Sequence, residues 1–151
     1  MKRILFVCHG NICRSAMAKM IMVDLLREQQ LTSRFEIDSC ATSTEEIGND
    51  IYPAAKKCLT QHGIALLPHA ARQITKADYA YFDLILCMEQ YNIRNLRYTL
   101  GEELLAEDMS LPQPKIMRLL NRDVADPWYT GDFETTYTDI LEGCKAMLKQ
   151  L

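Results

Sequence analysis

Cys8 and Arg14 stand six positions apart, with Ser15 next, and so set a sulfur nucleophile beside a planar guanidinium fork. Such a pair suits a phosphate monoester dianion. That ligand needs many donors, and consecutive backbone N–H groups curling into a helix N-terminus supply them with a favourable dipole. In the loop Cys8-His9-Gly10-Asn11-Ile12-Cys13-Arg14-Ser15, Gly10 is expected to let the backbone turn and approach the anion closely. Arg14 can bind two phosphoryl oxygens at once and follow them as the phosphorus centre inverts. Cys8 faces the same positive environment and is expected to be an activated thiol, with Ser15 donating a hydrogen bond to its sulfur. Spacing alone would also fit a buried strand-end thiol and a solvated arginine. The strand before, the helix after and the glycine within favour the phosphate loop.

A thiolate that attacks phosphorus leaves an oxygen in need of a proton, so an acid is required on another strand-end loop. Asp126-Pro127-Trp128-Tyr129 offers one. Pro127 stiffens the backbone beside the carboxyl, and the two aromatics can wall a pocket and stack on an aromatic ring. Read from these residues alone, the tetrapeptide serves equally as a plain turn with two core aromatics.

The elements that must hold these groups follow from apolar patterning. Ile4–Val7, Phe35–Ser39, Leu84–Cys87 and Lys115–Leu120 have strand length and β-rich or buried character. From Ser15 to Glu28, Met17, Ile21 and Leu25 recur at helical spacing, and Ala18, Met22 and Leu26 widen that face. A second helix is expected over Tyr52–His62, with Pro53 at its first turn and Gly63 at its end. The stretch from Phe133 to Leu151 predicts the clearest helix, with Asp132 as N-cap. Gly101–Pro114 reads as an acidic connection with a short helical turn at Glu102–Glu107 and no chemistry. Strands alternating with helices imply a single α/β domain over 1–151, a three-layer sandwich with a parallel sheet covered on both faces. Ligands of such sheets bind beyond the strand carboxyl ends, which puts the loop after Val7 first.

Composition bounds the partners. With 151 residues and a net charge of −3, the chain suits one core and carries no broad basic field, so neither nucleic acid nor an anionic membrane is an expected partner. Lys2 and Arg3 precede only a short apolar run, too brief for a signal-peptide core or membrane span, and a cytoplasmic location is expected. The six cysteines are then expected to be reduced, and no C-x-x-C pair suggests zinc or thioredoxin-type chemistry. Cys40, Cys58 and Cys144 read as small core hydrophobes.

With these residues in view, the loop resembles the C-x-G-N-I-C-R-S signature of low-molecular-weight protein tyrosine phosphatases. Asp126-Pro127-Trp128-Tyr129 resembles their D-P-[YW]-Y acid loop. The likeness extends to Phe35–Ser43, to His69–Thr75 (HAARQIT) and to Asp83–Met88. It implies a four-stranded parallel sheet with the phosphate-binding loop after the first strand. It implies Cys8 as nucleophile, Arg14 as phosphate clamp and Asp126 as general acid. His9, Gly10, Asn11, Ile12, Cys13, Ser15, Trp128 and Tyr129 would then contact substrate, and Asn11, Ser15, Ser39 and His69 would form a network holding the loop. Cys13 matches a second loop thiol that the family can join reversibly to the nucleophile; packing at a helix start explains it equally well. The implied partners are phosphotyrosine-containing proteins, with inorganic phosphate or similar oxyanions in the loop, and neither cofactor nor metal is needed.

His9 stands where the family often has an aliphatic residue, Glu45 where an aromatic often lines the entrance, and Tyr52-Pro53 where many members carry an acidic turn. These departures bear on the pocket mouth. Arsenate reductases of the same fold need a further cysteine soon after the position of Cys87, and none lies between Cys87 and Cys144. Protein-arginine phosphatases resemble C-x-G-N-T-C-R-S, so Ile12 favours tyrosine. A non-catalytic phosphate-binding module would lack the nucleophile, the arginine or the acid, and all three are present.

Overall fold

Ile4, Leu5, Phe6 and Val7 are all wholly buried, because they lie inside a strand covered on both faces. In the computed structural model, which describes residues 1–151, that strand is β1 (Lys2–Cys8). Alternate side chains enter different cores, as a two-residue period demands. Ile4, Phe6 and Cys8 pack with residues of α1 (Arg14–Glu28), and Leu5 and Val7 pack on the opposite side with Cys40 of β2 (Phe35–Ala41).

The chain continues through α2 (Pro53–Gln61), α3 (Lys76–Tyr81), β3 (Leu84–Cys87), α4 (Gln90–Asn95), α5 (Arg97–Leu100) and α6 (Glu102–Ser110). It ends with β4 (Ile116–Arg118), α7 (Pro127–Thr130) and α8 (Phe133–Gln150). All strand pairs are parallel, in the order β2-β1-β3-β4. α1, α2 and α8 cover one face and α3 to α6 the other, giving the expected three layers. After β1 the chain adds β2 on one side and then crosses to add β3 on the other. The crevice at that reversal opens at the carboxyl end of β1, where Cys8 sits.

Several boundaries moved. β1 and β2 extend beyond the apolar runs that signal them, because their ladder pairs seven residues, from Lys2 with Phe35 to Cys8 with Ala41. β4 is shorter than Lys115–Leu120: it pairs with β3 at three residues only, and the chain turns after Leu119 N–H donates to the Cys87 carbonyl at 2.9 Å. The acidic connection holds a full helix to Ser110 rather than a turn. Its buried Asp108 accepts from Tyr79 Oη at 2.7 Å and from the backbone N–H groups of Lys115 and Ile116 at 3.0 and 3.1 Å, tying α6 to the start of β4. The expected caps are in place: Asp132 accepts from Thr135 N–H, Pro53 opens α2, and Gly63 takes the left-handed conformation at φ 73°. No helix is long and apolar enough to cross a membrane.

Candidate active site

β1 delivers Cys8 to the crevice, and α1 starts six residues later, so the intervening loop must curl back around the sulfur. It does so with its donors inward. Cys8 Sγ accepts from the backbone N–H groups of Asn11 and Ser15 at 3.3 and 3.4 Å and lies 3.0 Å from Ser15 Oγ. Two backbone donors thus converge on one sulfur with the Ser15 hydroxyl beside it, an arrangement that stabilises negative charge there.

The curl depends on Asn11, which holds φ at 59°. Gly10, expected to make that turn, has no positive φ; the left-handed position falls one residue later because asparagine tolerates it and can brace it. Both amide hydrogens of Asn11 are used, on Ser15 Oγ at 2.8 Å and Ser39 Oγ at 3.0 Å. Its carbonyl side-chain oxygen accepts from Arg72 N–H at 3.2 Å. The backbone carbonyl of Asn11 accepts from His69 Nε2 at 2.6 Å, which fixes the neutral tautomer as the Nε2–H form. Ser39 reaches this group from β2, beside Asp38, whose carboxylate binds Lys19 and Arg72. Burial opposes the charge of Asp38, but the Ser39 N–H bond and the two cations hold it below the usual carboxylate range.

Arg14 is only 3% exposed, and three hydrogen bonds hold its guanidinium. Nη1 donates to the Val124 carbonyl at 3.1 Å, and Nη2 reaches Glu89 Oε1 at 3.2 Å and Asp126 Oδ2 at 3.3 Å. Burial works against its charge, yet the Glu89 bond and the facing anions raise its affinity for the proton. Asp126 caps α7, with Oδ1 accepting from Trp128 N–H at 3.0 Å, so the carboxylate is aimed by its own helix. Trp128 and Tyr129 are 59% and 85% exposed, which rules out the core alternative for them; they line the cavity wall instead. Cys13 packs with Ile12 and Ala71, and burial, followed by the charges of Cys8 and Asp126, pushes its thiol up to about 12.

The cavity occupies about 460 Å³ and brings together every loop residue from Cys8 to Arg14 with Asp126, Trp128 and Tyr129. Ser15, Ser39 and His69 act on the loop from behind. Glu45 stands at the mouth, 3.0 Å from His9 Nε2, so two of the noted departures pair with each other. Tyr52, the third, meets Trp128 edge-on at 5.4 Å and stacks on Phe133 at 6.1 Å.

Glu46, Glu89 and Tyr91 also line the cavity, and sequence reasoning singled out none of them. Glu89 follows β3 by two residues, so its place on a strand-end loop was the signal available. Cys87 is wholly buried at the end of β3, and all six cysteines are free.

The sequence model of the family described as low molecular weight phosphotyrosine protein phosphatase matches residues 3–151. The chain belongs to that family. A mouse member is 39% identical over 99% of this chain and 95% of its own length. The crystal structure of the family member YfkJ from Bacillus subtilis superposes with a TM-score of 0.89 at 36% identity, covering 99% of this chain and 94% of that one. A structure named as a Drosophila arginine phosphatase matches with a TM-score of 0.83 at 31% identity, covering 99% of this chain and 97% of that one. The four-stranded parallel sheet is thus the family fold.

Proposed function

We propose that this single-domain family member is a cytoplasmic protein tyrosine phosphatase working through a cysteinyl-phosphate intermediate. The observation that supports it most is the convergence of two backbone N–H groups on Cys8 Sγ, which lies 3.0 Å from Ser15 Oγ, with Arg14 and Asp126 joined at 3.3 Å in the same cavity. A phosphoryl dianion entering the loop takes over the Arg14 fork, which releases Asp126 Oδ2 to carry a proton. Cys8 sulfur attacks phosphorus as the P–O bond breaks, and Asp126 protonates the leaving tyrosine oxygen. Asp126 then takes a proton from water, whose oxygen bonds to phosphorus as the S–P bond breaks. Ser15 donates to the departing sulfur. Arg14 and the loop amides stabilise the equatorial oxygens throughout. A peroxide-class oxidant would convert Cys8 to the sulfenic acid, and attack of the Cys13 thiol with loss of water would then give a reversible disulfide that protects Cys8 from further oxidation.

The test is hydrolysis of phosphotyrosine, phosphoserine and phosphoarginine peptides in EDTA. Phosphotyrosine turnover should fall at least about 10³-fold in Cys8→Ser with the fold retained. Asp126→Ala should slow poor leaving groups by about 10²- to 10⁴-fold and good ones far less. Equal slowing across leaving groups sinks Asp126 as the acid. One observation favours a second reading: Glu45, Glu46 and Glu89 around the cavity suit a guanidinium. Cleavage of phosphoarginine alone would select that reading, as for the arginine phosphatase of the same fold.

A further inference from the structure

Cys58 and His62 stand four residues apart, on α2 and at its C-cap, so they share one face of the helix. That face meets the first turn of α8, where Glu134 lies. His62 Nε2 is 2.7 Å from Glu134 Oε2, and Cys58 Sγ is 3.5 Å from Glu134 Oε1. The three ligand-type atoms all fall within 4.8 Å of one another. The phosphatase reaction proposed above uses none of them.

We propose that Cys58, His62 and Glu134 form a Zn²⁺ site, with water in the fourth position. Zinc binds thiolate sulfur at about 2.3 Å and imidazole nitrogen or carboxylate oxygen at about 2.0–2.2 Å in a tetrahedron. Ligand atoms at those distances sit roughly 3.3–3.7 Å apart, so no pair of the three has to close by more than about 1.5 Å, within reach of side-chain rotation. The His62–Glu134 hydrogen bond opens by about half an ångström as the ion replaces it. The rest of the site is already built. The His62 ring stacks on Tyr137 at 3.8 Å and 9°, which fixes its plane. Cys58 is 3% exposed and backed by the core, whereas the His62 and Glu134 side chains are 33% and 59% exposed and leave a way in from solvent. On binding, the Cys58 thiol proton passes to solvent and no electrons move.

Cys40 and Cys144, the other two thiols read as core residues, are wholly buried, and neither has such a pair beside it. The cluster escaped the sequence reading because that looked for C-x-x-C spacing, whereas a helix brings ligands together at i and i+4. The ion ties α2 to α8, whose N-terminal aromatics back the cavity wall: Tyr52 packs on Trp128, and Phe133 stacks on Tyr52. Tyr52 caps α2, and Phe133 opens α8 beside Glu134. Zinc here braces that wall from behind without touching the reacting groups.

The test uses Cys8→Ser protein, so that the loop thiol does not compete for the ion. Equilibrium dialysis against zinc chloride should find one bound equivalent, and a hundredfold excess over Kd should raise Tm by about 5–10 °C. Cobalt(II) in place of zinc should give a thiolate charge-transfer band in the near ultraviolet. Adding Cys58→Ala or Glu134→Ala should abolish that equivalent or weaken it at least tenfold, and Cys58→Ala should also remove the cobalt band. Glu134 is exposed, so its variant keeps the fold intact. The proposal is overturned if Cys8→Ser protein binds no zinc, or if either added substitution leaves the affinity unchanged. Neither result bears on turnover, so the phosphatase reading stands or falls separately.

Discussion

A residue other than glycine at φ 59° is strained, and Asn11 offsets that strain with its own side chain. Its two N–H bonds and one accepted bond join the loop to Ser15, Ser39 and Arg72. Alanine at this position keeps the strain and leaves buried partners unmet. Asn11→Ala should therefore lose about 2–4 kcal/mol in urea unfolding. Gly10→Ala should stay within about 1 kcal/mol of wild type, since the added Cβ meets Glu46 Cγ at 3.4 Å and Ile12 Cγ1 at 3.9 Å, both side-chain contacts without a clash. Equal losses in the two variants would mean that the glycine shapes the loop as much as the asparagine does. The nucleophile, clamp and neighbouring serine were legible because the phosphate cradle is one contiguous run. Glu89 was not, because it meets Arg14 only across the sheet and its chain neighbours form no motif.

Elements add constraints that no single site residue reveals. Gly143 lies within α8, where alanine would ordinarily favour the helix by up to about 1 kcal/mol. Here a Cβ would come 2.5 Å from Leu119 Cγ, just past β4. Gly143→Ala should thus destabilise the protein by about 1–3 kcal/mol, a reversal of the helix-propensity sign readable from Tm. Asp38 links β2 to Lys19 of α1 and to Arg72. Its carboxyl is held below the usual range, so its contribution is complete above the unfolded-state value of about 3.9 and disappears as pH falls below it. Asp38→Asn should be less stable at pH 7 yet show a flatter acid limb between pH 5 and pH 2, roughly the window that linkage assigns. An unchanged limb would count against the pair. The long strands and amphipathic helices were legible because their periods repeat. α3, with six residues, and α4, also with six, are too short for a period to emerge. Their marks are reciprocal caps, Thr75 with Asp78 and Glu89 with Asn92.

At the scale of the whole molecule, a chain of net charge −3 must admit a dianion. The cavity entrance sharpens the conflict, with Glu45, Glu46, Glu89 and Asp126 around a buried Arg14 and a His9 already paired. Long-range repulsion and short-range capture then respond differently to salt. Repulsion acts across solvent and is screened over about 30 Å at 0.01 M but about 10 Å at 0.1 M, whereas the buried loop contacts are screened much less. Raising sodium chloride over that range should therefore increase kcat/KM for a small aryl phosphate dianion, by about two- to fivefold. A phosphotyrosine peptide flanked by lysine and arginine should show the opposite slope, because the acidic mouth attracts it and salt weakens that attraction. Glu45→Lys should flatten both slopes; it gives up the contact with His9 but leaves the donors around Cys8 Sγ in place. If both substrates moved in the same direction with salt, the field at the entrance would not be governing encounter, and selection would rest on contacts made after the phosphate has docked.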